Sequence, residues 1–298
     1  MRRTIVLLTT MAMTLLAATS VAMAVEGGGP EIIGGTEVPN GKYRFVVALL
    51  DKTRGDSMSQ PESPQKEQFC GGSLLNKDTV LTAAHCVDDY PRKVVATDLR
   101  VLVGETHLNS LAKNSQRPVV SIHVHPKWDG TASKGYDVAV LKVSSAVPGF
   151  IRPTTIRVTP KYNNVFETEG RSLTVAGWGN TEALPPPPYD PQNIMREAQV
   201  PVVSDDTAEE SYKSAYVPPL MVAAGELGID TCQGDSGGPL FTKVSTSTGV
   251  VYYQVGITSF GKPCGVAAYG GVYTEVNNPG VFDFIHYWAV GPPIDPPS

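Results

Sequence analysis

Beyond residue 31 the chain alternates short runs rich in Val, Ile, Leu, Tyr and Phe with clusters of Gly, Pro, Asn and Asp. Runs at 43–50, 72–75, 80–82, 99–103 and 138–143 read as strands, and a second set follows at 172–178, 198–203, 239–243, 250–260 and 271–276. Spaced runs of this kind with few helical periods predict an all-β sandwich or barrel. One helix is legible near the end, where Val281, Phe284, Ile285 and Trp288 share a face after the start signal Asn278-Pro279. Two segments break the pattern and read as surface insertions. Residues 51–68 are polar and charged without any apolar period, which predicts a long hairpin loop. Its Arg54-Gly55-Asp56 is a tripeptide that recurs by chance. Residues 184–191 hold a proline run, read as a stiff spacer in a loop in preference to a polyproline ligand. The tail 291–298, with four prolines, reads as disordered.

The front of the chain follows another pattern. Arg2-Arg3 precede an apolar run from residue 5 to 18, and Ala22-Met23-Ala24 closes it. A basic start, an apolar middle and an A-x-A end read as a secretory signal peptide, residues 1–24. A membrane anchor is the alternative, but threonines break the run and it ends short of the roughly 20 residues a spanning helix needs. No later stretch is long and apolar enough to span, so no membrane partner is expected. The formal net charge is −5, and Arg2 and Arg3 cancel Glu26 and Glu31, so the remainder keeps that charge. A mildly acidic chain without a basic stripe argues against nucleic acid as a partner. The four cysteines, Cys70, Cys86, Cys232 and Cys264, together with the export signal favour two disulfides. A zinc site is the competing reading, but no C-x-x-C spacing supports it. Spacing alone leaves three connectivities open.

The candidate chemistry gathers around Asp230-Thr-Cys-Gln-Gly-Asp-Ser236-Gly-Gly-Pro. A serine hydroxyl is a weak nucleophile at neutral pH and needs a nearby base and donors for the oxyanion that forms. Gly234 and Ser236 offer backbone N–H groups that can converge on one point, in a turn where glycine tolerates positive φ. A base is available in Thr82-Ala-Ala-His85-Cys86, and a carboxylate to orient it in Asp137-Val-Ala-Val-Leu141. Each also has an ordinary reading: a serine in a glycine-rich turn, or a turn aspartate after Gly135-Tyr136. Asp129 is a rival carboxylate, but no strand follows it directly. His107, His123, His125 and His286 lack the Ala-Ala-His-Cys context. The three motifs, in the order His, Asp, Ser, resemble those of the trypsin/chymotrypsin family of serine proteases.

That resemblance covers nearly all of residues 32–289 and implies two six-stranded antiparallel barrels with a C-terminal helix. The expected barrels run about 32–147 and 148–278, crossing near 147–153, with a helix at 279–290 closing a peptidase domain of 32–290. It implies a catalytic triad of His85, Asp137 and Ser236, and the disulfides Cys70–Cys86 and Cys232–Cys264, worth about 3–4 kcal/mol each by chain entropy. The family often has a further bridge near the specificity region, but residues 211–225 hold no cysteine, so hydrophobic packing must serve there. Ile32-Ile-Gly-Gly35 resembles the family's mature N-terminus, making 25–31 an activation propeptide and Ile32 the amine that pairs with Asp235. Asp230 would receive Arg or Lys, with Gly261 and Gly271 as pocket walls and the backbone of 259–261 (Ser259, Phe260, Gly261) pairing with substrate. Phe260 departs from the family's usual tryptophan, and Glu31 from its usual Arg or Lys. A family calcium loop is matched by Glu105 alone, with no second carboxylate at 113–115, so no metal and no cofactor is expected. The expectation is a secreted, monomeric serine endopeptidase made as a zymogen, with protein or peptide substrates and protein protease inhibitors as partners. A catalytically silent binding protein on the same fold, or a protease of other specificity, is the alternative.

Overall fold

Strand β2 shows how the apolar runs are used. Its sequence Val-Val-Ala-Leu-Leu-Asp is buried at every position, which a strand with one wet face cannot be. Side chains alternate across a strand, so Val47 and Leu49 point one way and Val46, Ala48 and Leu50 the other. The first pair packs with Val80, Leu81, Val101 and Val140 inside one barrel. The second set packs with Tyr43, Phe45, Trp178 and Phe241 against another. Both faces are core.

The computed structural model describes residues 32–53, 63–89, 92–109, 115–144, 157–159, 164–181, 192–265 and 270–291. The expected signal peptide and propeptide, Arg54-Gly55-Asp56, the crossing at 147–153, the proline run at 184–191 and all of the tail but Gly291 lie outside the described residues. In chain order the elements are β1 (Thr36–Glu37), β2 (Val46–Asp51), α1 (Pro64–Glu67), β3 (Gln68–Asn76), β4 (Thr79–Thr82), β5 (Asp88–Asp89), β6 (Arg92–Lys93), β7 (Leu99–Leu102), β8 (Gln116–Val124), β9 (Ala139–Val143) and β10 (Ser172–Gly177). There follow β11 (Arg196–Val203), α2 (Asp205–Tyr212), β12 (Met221–Ala224), β13 (Pro239–Thr246), β14 (Gly249–Phe260), β15 (Gly271–Glu275) and α3 (Pro279–Val290).

These strands make two closed six-stranded antiparallel barrels. The first runs β2-β3-β4-β9-β8-β7. The second runs β11-β10-β13-β14-β15-β12 and closes through β11 against β12. Closure removes the unpaired edges that an open sheet exposes. β1 precedes the first barrel in sequence yet pairs with β11 of the second, Thr36 opposite Glu197. Between the barrels Tyr43, Phe45 and Phe241 meet edge to face, with ring centroids 5.0 Å apart for Tyr43–Phe241 and 5.1 Å for Phe45–Phe241. Such pairs add about 0.5–1.5 kcal/mol each beyond the area they bury.

Helix α3 stands where the apolar stripe puts it. The Asn278 side chain accepts from the N–H groups of Gly280 and Val281, Pro279 opens the helix, and Val281, Phe284 and Ile285 are buried. Trp288, only partly buried, stacks on His123 of β8. Several elements depart from the expected set. β8, β12 and α2 are absent from it, and the insertion at 51–68 is not wholly loop. Residues 64–67 form one helical turn there, and Glu67 and Gln68 are buried, with Glu67 paired to Arg100. The cysteine-free region before the pocket is held by packing of Tyr212, Tyr216, Leu220 and Met221, and by hydroxyls. Tyr212 donates to the Gly270 carbonyl at 2.6 Å and Tyr216 to that of Met221 at 3.0 Å.

Candidate active site

His85 lies just past β4, where the N–H groups of Val87 and Asp88 both return to the Ala84 carbonyl and make a tight turn. A disulfide from Cys86 to Cys70 of β3 pins that turn, with Cα atoms 6.3 Å apart. Asp137 comes from the turn before β9. Its carboxylate is fully buried and accepts the His85 backbone N–H at 2.9 Å and the His85 ring Nδ1–H at 2.8 Å. The Ser259 hydroxyl donates to the same carboxylate. Burial alone would push Asp137 up. The adjacent His85 and the hydrogen bonds from His85 and Ser259 outweigh it and hold the carboxyl below its ordinary value. With its Nδ1 proton engaged there, the neutral ring presents Nε2 as its acceptor.

Ser236 is half-buried in a turn at the start of β13. His85 Nε2 lies 3.8 Å and the Ser236 carbonyl oxygen 3.6 Å from the same sulfur, Cys86 Sγ. The turn is tied by Asp235 N–H to the Cys232 carbonyl, Gly238 N–H to that of Asp235, and Gly237 N–H to that of Thr258, all within 2.9 Å. Gly234 has φ of 98°, a conformation that L side chains rarely adopt. Among the described residues, the N–H groups of Gly234 and Ser236 donate to no acceptor. Two free donors flanking a serine are what a developing oxyanion requires.

The Asp235 carboxylate packs against Gly177, at the end of β10, and Gly179. Its oxygens accept from Gly179 N–H at 2.9 Å and Cys232 N–H at 3.0 Å. A Cβ on Gly179 would come within 2.4 Å of that carboxylate, so only glycine admits it. Burial pushes Asp235 up to about 7, against the two N–H groups that favour the anion. Ile32 is fully buried among Leu173, Val175 and Val255, its nitrogen still joined to residue 31, and no hydrogen bond links it to Asp235. Ile33 packs on the second disulfide, Cys232–Cys264, and its carbonyl accepts the Asp230 N–H at 3.2 Å.

A cavity of about 250 Å³ opens beside this turn, lined by Asp230, Ser236, Ser259, Phe260, Gly261 and Gly271 among others. Asp230 is 6% exposed. It accepts from the N–H groups of Thr231 at 2.8 Å and Gly265 at 3.2 Å. Burial raises it to about 6, with the backbone donors opposing. Gly261 and Gly271 face one another: a Cβ on Gly261 would lie 3.7 Å from the Gly271 Cα, and one on Gly271 3.0 Å from Asp230 Oδ1. Side chains at either would fill the cavity. Phe260 stands edge-on to Tyr212 at 5.8 Å. Two larger cavities, of about 590 and 480 Å³, lie beside α2 and α3 and include none of His85, Asp137 or Ser236. Size does not mark the site here; converging chemistry does.

Sequence reasoning missed two side chains that touch this machinery. Ser259 was expected to act through its backbone, yet its hydroxyl meets Asp137. Gln68 was read as part of a polar loop, yet its amide reaches the Gly234 carbonyl. No local signal marks either, since the partners lie 122 and 166 residues away in sequence. Glu105 is engaged by the Ser115 hydroxyl at 2.5 Å. Among the described residues the only group spaced to hold a metal ion is Cys70, His85 and Cys86, whose two sulfurs are spent in a disulfide.

Comparison with known proteins finds relatives over most of the chain. The Trypsin family model matches residues 32–285. The trypsin of Saccharopolyspora erythraea is 34% identical over 82% of this chain and 93% of its own length. The trypsin-like protease of Streptomyces glaucescens is 34% identical over 85% of this chain and 81% of its own. Melanization protease 1 of Drosophila melanogaster is 31% identical over 84% of this chain, which spans 64% of that longer protein.

Proposed function

This chain belongs to the trypsin family of serine endopeptidases, and from that premise we propose that it is secreted, cuts after Arg or Lys, and is made as a zymogen opened between Glu31 and Ile32. One observation carries the specificity: the buried Asp230 carboxylate lines the same cavity as Ser236, with two glycines leaving the space between. A guanidinium or ammonium entering there meets a charge in a poorly solvated site, where the attraction exceeds its value in water.

In this reading His85 Nε2 takes the Ser236 proton as Oγ attacks the scissile carbonyl. Asp137 holds the tautomer that leaves Nε2 free and stabilises the imidazolium that forms. The Gly234 and Ser236 N–H groups bind the oxyanion. His85 then gives its proton to the leaving amine, leaving an acyl-Ser236 that water hydrolyses by the same steps in reverse roles. The basic start, the apolar run 5–18 and the A-x-A end of residues 1–24 support export, with 25–31 as propeptide and 32–290 as the peptidase domain. Among the described residues no helix is long and apolar enough to cross a membrane. The enzyme acts as a monomer, with protein protease inhibitors as further partners.

The test uses protein processed to begin at Ile32 and short peptides that differ only in the residue before the cut. Cleavage is expected after Arg and Lys, and preference for Phe or Leu would overturn the pocket assignment. Asp230→Ser is expected to lower kcat/KM for Arg peptides by roughly two to three orders of magnitude, the scale of truncating one partner of a buried charge pair. The pH dependence gives an independent check. Asp230 titrates near 6 in the free pocket, so its anion, and the affinity for Arg, is lost as pH falls through that value. His85 protonation slows all substrates alike, so the ratio of Arg to Phe turnover isolates the pocket. That ratio is expected to fall below about pH 6, and a flat ratio from pH 5 to 8 would exclude the role.

A further inference from the structure

The nucleophile turn is held from the other barrel. Gly71 of β3 donates its N–H to the Ser236 carbonyl at 2.7 Å. Gln68, the first residue of β3, is 1% exposed, and its amide nitrogen donates to the carbonyls of Cys70 at 3.1 Å and Gly234 at 3.0 Å. Both flanking carbonyls of the turn, those of Gly234 and Ser236, are therefore occupied by β3. The intervening N–H of Asp235 goes to Cys232, and the next one, of Gly237, to Thr258. Of the N–H groups between 234 and 237, those of Gly234 and Ser236 remain without an acceptor among the described residues.

Of the two, Gly234 is the less constrained. It has no side chain to pack, and among the described residues its own N–H has no acceptor. Glycine explores more backbone conformations than any other residue, so the direction of its N–H depends on ties at its other atoms. The tie on its carbonyl comes from Gln68. We propose that Gln68 is a positioning residue for this reaction: its amide clamps the Gly234 carbonyl so that the Gly234 N–H stays aimed at the oxyanion. The first barrel then contributes to the second barrel's half of the site, in addition to supplying His85 and Asp137. The proposal rests on the Ser236 reading above.

Gln68→Met removes both donors at nearly constant volume. Gln68→Ser removes them while leaving room for water to meet the two carbonyls, so it serves if the methionine variant does not fold. A single oxyanion donor lost outright costs about 10²–10³ in kcat, and a misaimed one less. Either folded variant is expected to lose about 10- to 100-fold in kcat on an Arg peptide, with KM within about threefold. A peptide aldehyde, whose adduct carries the oxyanion, is expected to bind more weakly by a similar factor. Benzamidine, which needs only the Asp230 cavity, is expected to bind as before. Unchanged kcat and aldehyde affinity in either variant would overturn the proposal. An equal loss of benzamidine affinity would also overturn it, because that reports a disordered site and not a misaimed donor. The Ser236 reading is judged separately: wild type must form the aldehyde adduct and Ser236→Ala must not, whatever the Gln68 variants do.

Discussion

Ser236→Ala in the processed protein is expected to lower kcat by about 10⁶-fold, leaving KM for an Arg peptide nearly unchanged. That is the scale on which serine proteases lose rate when the nucleophile goes, since base, orienting acid and nucleophile act as one unit. The geometry explains the non-additivity. Asp137 is fully buried, and both its carboxylate oxygens are spent on His85 and Ser259. His85 in turn is set by two bonds to one carboxylate. Removing the hydroxyl leaves this pair poised with nothing to activate. Residual hydrolysis, from the oxyanion donors and binding alone, should resemble that of a His85→Ala, Ser236→Ala double variant within a few-fold. Steady-state rates on one Arg peptide decide it. Activity of Ser236→Ala near wild type would remove Ser236 from the mechanism.

How much of this was legible follows from where each signal resides. Strands buried on both faces, such as β2, read as unbroken apolar runs. Those with one core face, such as β11, alternate: Ala198, Val200 and Val202 point inward. β8 was missed because its pattern runs against burial. Arg117 is 4% exposed while Val120 is 61% exposed, and Pro118 interrupts it. Val119 does reach the core, with Ile122 and Val124 packed against it, and pairing with β7 and β9 sets the rest. β12, Met-Val-Ala-Ala, has a single β-branched residue and no aromatic to mark it as a strand. α2 is mostly polar, yet its start was signalled by Ser204, whose side chain accepts the Thr207 N–H, followed by two acidic residues in the first turn. The motifs that carry the candidate triad stand out in the sequence because each is local: a tight hydrogen-bonded bend, a strand start, a glycine-rich loop. Gln68 and Ser259 do not, because their contacts with Gly234 and Asp137 exist only once two barrels have closed on each other.

The sequence before Ile32 carries the second large effect. With the Arg/Lys pocket proposed above, Asp230 is expected to repel a glutamate, and the residue preceding Ile32 is Glu31, after Pro30. Like charges in a poorly solvated cavity disfavour that pose by several kcal/mol. The processed enzyme is therefore expected not to cut its own precursor, and a protease that cuts after Glu is required. Until then the Ile32 nitrogen stays in a peptide bond and Asp235 has no cationic partner. Asp235 then titrates near 7, well above an ordinary carboxylate, so its buried neutral form favours the fold at low pH and that stability is lost as pH rises through 7. An Ile32 amine freed by processing and paired with Asp235, as the family resemblance implies, is expected to favour the anion instead. The melting temperature of the precursor should consequently drop more between pH 5 and 8 than that of protein beginning at Ile32. Glu31→Arg is expected to convert a stable precursor into one that activates itself with accelerating kinetics, from no detectable processing to completion. The direct measurement incubates each precursor with a trace of processed enzyme and follows the N-terminal sequence over time. Release of Ile32 from the Glu31 form, at a rate proportional to the added enzyme, would sink this account, and so would a Glu31→Arg precursor that stays intact while the same enzyme cuts Arg peptides.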